Sequence, residues 1–231
     1  MTISEGTPGE AYLPRPRAPT SRGEFALVLG LPLLLWAVAL LVRWNRGLAA
    51  VSDGQIARTL GFELLAGGLA WWVLRRRGWT LSTLTKPPRV KDVLWAVVLW
   101  VSAYVAAVLV TGSVMFLAPT AREILRTPPL TGFLSWPMVV AASTINPVYE
   151  EGLWLGYVWN GPADGRPVAS VCVSIVLRTT VHAQQGWPAL LAILPIGIVF
   201  SLYYARTGRL APIIVAHALF DFVGLASLGR I

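Results

Sequence analysis

VLWAVVLWVSAYVAAVLVTGSVMFLAPTA, Val93 to Ala121, runs for 29 residues without a charged side chain. At about 1.5 Å of rise per residue a helix of that length exceeds the roughly 30 Å of a bilayer's hydrocarbon core. A second uncharged run of 18 residues, Phe25 to Val42, is long enough as well. The composition agrees: 55% hydrophobic, 13% charged, with mean hydropathy +0.63. These values define an integral membrane protein of all-α class, because only helices or closed barrels satisfy the backbone in lipid.

The formal net charge of +8 would suggest nucleic acid in a soluble chain. Here the basic residues cluster in short loops beside apolar runs, where they act as topology determinants. The largest cluster, Arg75, Arg76, Arg77, Lys86, Arg89 and Lys91, marks the cytoplasmic side and is placed to touch anionic lipid. The lone cysteine, Cys172, excludes an internal disulfide and reads as a small core residue. Trp36, Trp44, Trp79, Trp159 and Trp187 sit near the ends of apolar runs, as interfacial anchors do.

Residues 1–24 are rich in Pro, Gly, Thr and Arg, and are expected to be a disordered cytoplasmic tail. A cleavable leader ending at Ala37-Val38-Ala39 is disfavoured by the length and balanced charge of the segment before it. Helices are expected at 25–42, about 56–74, 93–118, about 130–160 (bent), 168–184, 189–205 and 210–228. That makes a polytopic bundle of seven spans, or eight segments if the bent helix breaks, with a cytoplasmic N-terminus. Arg15, Arg17, Arg22, the loop cluster, Arg166, Arg206 and Arg209 then lie inside, against Arg43, Arg46, Arg122, Arg126 and Arg230 outside. The division expected is 1–24 tail, 25–129 N-terminal transmembrane helices and 130–228 catalytic core. No internal repeat supports a transporter of inverted halves. Arg58 and Glu63, in the second helix, are five apart and read as structural or snorkelling residues outside any site.

The half of the chain after residue 129 carries its polar residues within apolar stretches: Glu150, Glu151, Arg178, His182, His217 and Asp221. Ionisable groups at bilayer depth cost about 2.5–3.5 kcal/mol each on insertion scales and mark functional sites by default. Asn146-Pro147 reads as an N-cap and first helical residue, which would place Glu150 and Glu151 near a positive helix N-terminus. Adjacent residues point about 100° apart on a helix, so the two glutamates have different tasks. Arg178 and His182 are four apart and share a face, as do His217 and Asp221. Three carboxylates against one arginine leave an imbalance that shared protons, a protonated histidine or a divalent cation must relieve.

Three segments, Glu150-Glu151-Gly-Leu-Trp-Leu-Gly-Tyr157, Ser174 to His182 and His217-Ala-Leu-Phe-Asp221, resemble in order and spacing the motifs of the CAAX-protease and bacteriocin-processing (CPBP, Abi) family of intramembrane proteases. The resemblance covers roughly 130–228. The family's first motif places Arg four residues after the second Glu, where this chain has Leu155. Its second motif usually has Phe four residues before His, where this chain has Arg178, as in a bacterial variant that continues with Gln-Gly (compare Gln185-Gly186). Arg178 is therefore expected to replace the lost arginine as counter-ion to Glu151.

The resemblance implies an intramembrane endopeptidase acting on a membrane-associated protein or a leader or sorting peptide, in a bacterial cell membrane. In one version Glu150 and His182 activate a water while His217 and Asp221 stabilise the oxyanion, Asp221 either protonated or orienting His217. In another, Glu150, His182 and His217 hold a divalent metal such as zinc. The lack of a His-Glu-x-x-His signature favours the first. The alternatives are a non-catalytic scaffold, for bacteriocin immunity or regulation of a partner complex, and then a transporter with a polar midplane site.

Overall fold

The computed structural model describes residues 20–46, 51–118, 132–161, 167–183 and 187–228. Most of the expected tail, the segments holding Arg122, Arg126, Arg166 and Arg230, the Gln185-Gly186 pair, and the side chains of Arg43, Trp44, Arg46 and Trp187 lie outside the described residues. Among those described, seven long helical stretches appear close to the expected positions. The first, α1, joins Arg22–Phe25, a π-helical turn Ala26–Gly30 and Leu31–Arg46 without a break. It begins three residues before the expected start, because the Ser21 hydroxyl accepts the Glu24 N–H and caps the first turn.

After β1 (Val51–Ser52) come α2 (Asp53–Arg76), the short α3 (Leu81–Leu84) and α4 (Lys91–Leu117). β2 (Gly132–Phe133) pairs in parallel with β1. The next helix, α5, is continuous through Trp136–Glu151, a π-helical stretch Gly152–Tyr157 and Val158–Asn160. It therefore stays one helix rather than breaking in two. α6 (Pro167–His182), α7 (Trp187–Thr207) and α8 (Ala211–Ala226) complete the bundle. Two helices among the described residues, Lys91–Leu117 and Ala189–Thr207, are long and apolar enough to cross a membrane, with mean hydropathy 2.5 and 1.7.

The distribution of polarity is inverted relative to a water-soluble bundle. On α4 the exposed residues include Val93, Leu94, Val97, Val98, Val101, Val105, Val108 and Leu109, while Ala96, Leu99, Ala103 and Ala107 face inward. Large apolar chains outside and small ones inside let helices approach closely where lipid covers the exterior. Cys172 is exposed on the outside of α6, not in the core as expected.

α5 is the axis. On one side Tyr149, Leu153, Trp154, Tyr157 and Val158 pack with residues of α1 and α2, and on the other Leu155 joins Leu99, Phe200, Tyr204 and Ile213 from α4, α7 and α8, with Leu210 at the start of α8.

One end of the bundle is sealed by polar bonds. Tyr157 donates to Glu24 Oε1 at 3.1 Å, and Arg77 Nε lies 2.7 Å from Glu24 Oε2. Tyr204 donates to the Leu84 carbonyl at 2.6 Å and receives Asn160 Nδ2 at 2.8 Å. Gly208, at φ +64°, turns the chain out of α7 so that its carbonyl accepts the Lys86 N–H at 2.9 Å. Arg209 Nη1 donates to the Pro87 carbonyl at 2.8 Å and to Asp92 Oδ2 at 3.3 Å. The β1–β2 pair and the Ser135 N–H to Asp53 Oδ1 bond, at 2.9 Å, mark the other end.

Arg209→Ala would leave the nearly buried Asp92 without its cation, at a cost of roughly 3 kcal/mol. The expected outcome is a lowered Tm of the purified protein in detergent, with a smaller drop for Arg209→Lys.

Candidate active site

Glu151 lies where α5, α6 and α8 meet and is 0% exposed. Its oxygens have separate partners: Arg178 Nη2 donates to Oε2 at 2.6 Å, and His217 Nδ1 donates to Oε1 at 2.6 Å. A carboxylate only accepts, so Nδ1 carries the proton of that bond. Nε2 of His217 faces Asp221 Oδ1 one turn further along α8, at 3.6 Å, an electrostatic contact beyond hydrogen-bond length. Four of the six expected site residues are thereby joined in one chain, Arg178–Glu151–His217–Asp221.

Arg178 can occupy this place because of what flanks it. Its guanidinium lies 5.8 Å from the centroid of the Phe200 ring. A Cβ at Gly197 would come within 3.3 Å of Arg178 Cδ, so the missing side chain makes room for the arginine stem. Leu155, where the family motif has arginine, is enclosed by Leu99, Phe200, Tyr204, Leu210 and Ile213. A charge there would enter this mainly apolar cluster, whereas from α6 a guanidinium reaches Glu151 directly.

The hub lies well inside the bundle. His217 is six residues into α8, Glu151 nine residues from Asn160 and Arg178 eleven residues into α6. At the helical rise these positions are on the order of 10–15 Å from the polar end.

Glu150 is 4% exposed, and its Oε2 has no hydrogen-bond partner. Ser143 Oγ, Asn146 Oδ1 and Tyr149 OH, on the same stretch of α5, are also buried without partners. The two glutamates thus differ as their 100° separation requires: Glu151 is bonded at both oxygens, and Glu150 has a free one. His182, at the end of α6, donates Nδ1–H to the Arg178 carbonyl at 2.8 Å. A carbonyl only accepts, so the bond leaves Nε2 with its lone pair. Among the described residues no hydrogen bond or ion pair joins His182 to the other five site side chains.

One expectation is corrected. Asn146 and Pro147 do not start a helix: they lie inside α5, whose N-cap is Ser135 with Pro137 in the first turn. Pro147 lacks an N–H and so removes one backbone bond without ending the helix. Glu150 and Glu151 therefore gain nothing from a helix N-terminus, and the countercharge for Glu151 comes from neighbouring helices. Glu63, read as a structural or snorkelling residue, is 2% exposed and so does not snorkel; it interacts electrostatically with Glu150, His217 and Asp221. The sequence signal for it was the stripe Leu60, Glu63, Gly67, Ala70 and Leu74, a carboxylate on the packing face of a helix.

The metal alternative was Glu150, His182 and His217. Among the described residues no three His, Cys, Asp or Glu side chains are gathered to hold one ion. His217 Nδ1 is also committed to Glu151. The donor set does not fit a metal in this arrangement.

Residues 132–223 match the family model described as "Type II CAAX prenyl endopeptidase Rce1-like". No curated protein and no solved structure matches the chain.

Arg178→Ala would strand the Glu151 carboxylate, with a destabilisation of roughly 3–5 kcal/mol expected for a broken buried pair. Thermal unfolding in detergent should show that loss. Adding Glu151→Ala should recover part of it, because the two residues are coupled.

Proposed function

We propose that this chain, whose residues 132–223 match the type II CAAX prenyl endopeptidase Rce1-like family model, is an intramembrane endopeptidase that cleaves a membrane-associated protein or a leader or sorting peptide. The observation that carries this reading is the contrast between its two glutamates. Glu151 is held by Arg178 and His217, and so positions rather than reacts. Glu150 is buried beside it with an oxygen free to take a proton.

In the reaction, Glu150 accepts a proton from water as the water oxygen bonds to the scissile carbonyl carbon, and the proton then passes to the leaving amine as the C–N bond breaks. His182 has Nε2 free to accept a hydrogen bond from the same water. Binding of substrate would have to bring His182 and Glu150 to one reacting centre; catalytic contacts of this kind are commonly looser before substrate arrives. His217, with Asp221 3.6 Å from Nε2, would stabilise the negative charge that develops on the carbonyl oxygen. Arg178 compensates for Leu155, keeping one arginine at the Glu151 carboxylate while carrying it on α6. The catalytic core is 130–228, supported on one flank by α2.

The seven long helices form seven membrane spans with the N-terminus in the cytoplasm of a bacterial cell. Support for this polarity comes from the end of the bundle that carries Arg22, Arg75, Arg76, Arg77, Lys86, Arg89, Lys91, Arg206 and Arg209. Arg75 and Arg76 lie against Trp71 and Trp72, at 5.7 and 4.3 Å from the ring centroids, as expected at a membrane interface.

The decisive measurement is comparative membrane proteomics of cells making the wild type or Glu150→Gln. Cleavage products present with wild type and absent with the folded variant are expected; no Glu150-dependent product would leave the non-catalytic scaffold as the reading. For orientation, a cysteine introduced at Lys86 in a Cys172→Ser background should react with an impermeant thiol reagent only after the cells are opened. Labelling in intact cells would reverse the topology.

A further inference from the structure

The carboxyl of Glu63 has no role in the chemistry above, and it lies outside the stretch that matches the family. It belongs to α2, whose face Leu60, Glu63, Gly67, Ala70 and Leu74 packs on α5. The approach is close: a Cβ at Gly67 would sit 3.2 Å from Tyr149 Cδ2. α2 and α5 run the same way from the parallel strands β1 and β2, so Glu63, one turn before Gly67, comes level with the turn of α5 that leads into Glu150. Glu63 Oε2 and Glu150 Oε2 are both buried and both without a hydrogen-bond partner.

The local charge cannot accommodate two carboxylates here. Arg178 is engaged with Glu151, and His217 is bracketed by Glu151 and Asp221. No cation pairs with Glu63 or Glu150 among the described residues. Two unpaired carboxylates buried on packed helices and within electrostatic reach of each other repel and each lose solvation; protonating one of them removes most of that cost.

We propose that Glu63 is a positioning residue that stays a neutral carboxylic acid and donates its O–H toward Glu150 and its water, so that Glu150 alone carries the negative charge. The role rests on the protease reading of Glu150. In the hydrolytic step the water proton goes to Glu150 and then to the amine, while the Glu63 proton stays where it is. An arrangement of two carboxyls, one acid and one base, gives them opposite responses to amide substitution.

Glutamine keeps a donor at 63 but destroys a base at 150. Glu63→Gln should therefore retain cleavage of the Glu150-dependent product within about threefold, and Glu63→Leu should lower it about tenfold or more with the protein folded. Infrared spectra of the purified protein provide a readout independent of activity. The carbonyl stretch of a protonated carboxylic acid should be present in the wild type and lost in Glu63→Gln. Wild-type cleavage by Glu63→Leu, inactivity of Glu63→Gln equal to that of Glu150→Gln, or a carboxylic acid band unchanged in Glu63→Gln would each overturn the proposal. If Glu150→Gln changes no product, the protease reading fails, and the infrared band still decides the state of Glu63.

Discussion

A carboxylate with no exposed surface, Glu151, organises this bundle. Lipid is as apolar as the helices it surrounds, so little hydrophobic force drives them together in a membrane, and close packing and buried polar bonds must hold them instead. Glu151 supplies such bonds to two helices at once, through Arg178 on α6 and His217 on α8. Leaving it unpaired would cost several kcal/mol. The positions of α6 and α8 around α5 are therefore coupled. The missing side chain at Gly197 leaves room for the arginine stem, and the Phe200 ring lies against the guanidinium.

The same constraint separates the two glutamates. Because Glu151 uses both oxygens, the neighbouring Glu150 is the one left with an acceptor site. α5 carries both through a proline and into a π-helical stretch without interruption. π-helical turns are rare and recur at functional sites, where they re-aim side chains. Here the stretch follows directly on the pair, and it turns Leu155 into the apolar cluster of α4, α7 and α8. The arginine bonded to Glu151 comes instead from the next helix, at Arg178.

The polar bonds at one end serve a different purpose. Glu24 with Tyr157 and Arg77, Tyr204 with Leu84 and Asn160, and Arg209 with Asp92 link consecutive and distant helices where the chain leaves the apolar layer. They hold the helix ends while the hub fixes the middle, so α2, outside the stretch that matches the family model, is held against α5.

The uncharged runs determined where the helices lie, since length and apolarity alone decide whether a segment can reside in lipid, and apart from the start of α5, expected at about 130 and found at Trp136, the expected bounds fall within a few residues of those observed. Sequence also singled out Glu151 and Arg178, because ionisable residues at depth are rare enough to invite pairing. It misplaced the helix start at Asn146-Pro147, since local preference cannot weigh a proline's lost bond against packing along a whole helix. It could not show that Glu63 is buried or that His182 bonds back to its own helix. Helical periodicity defines the face a residue occupies on its own helix, and charge balance is a sum over neighbours in space. Which helix that face meets, and so which carboxylate is paired and which is left free, only the tertiary structure decided.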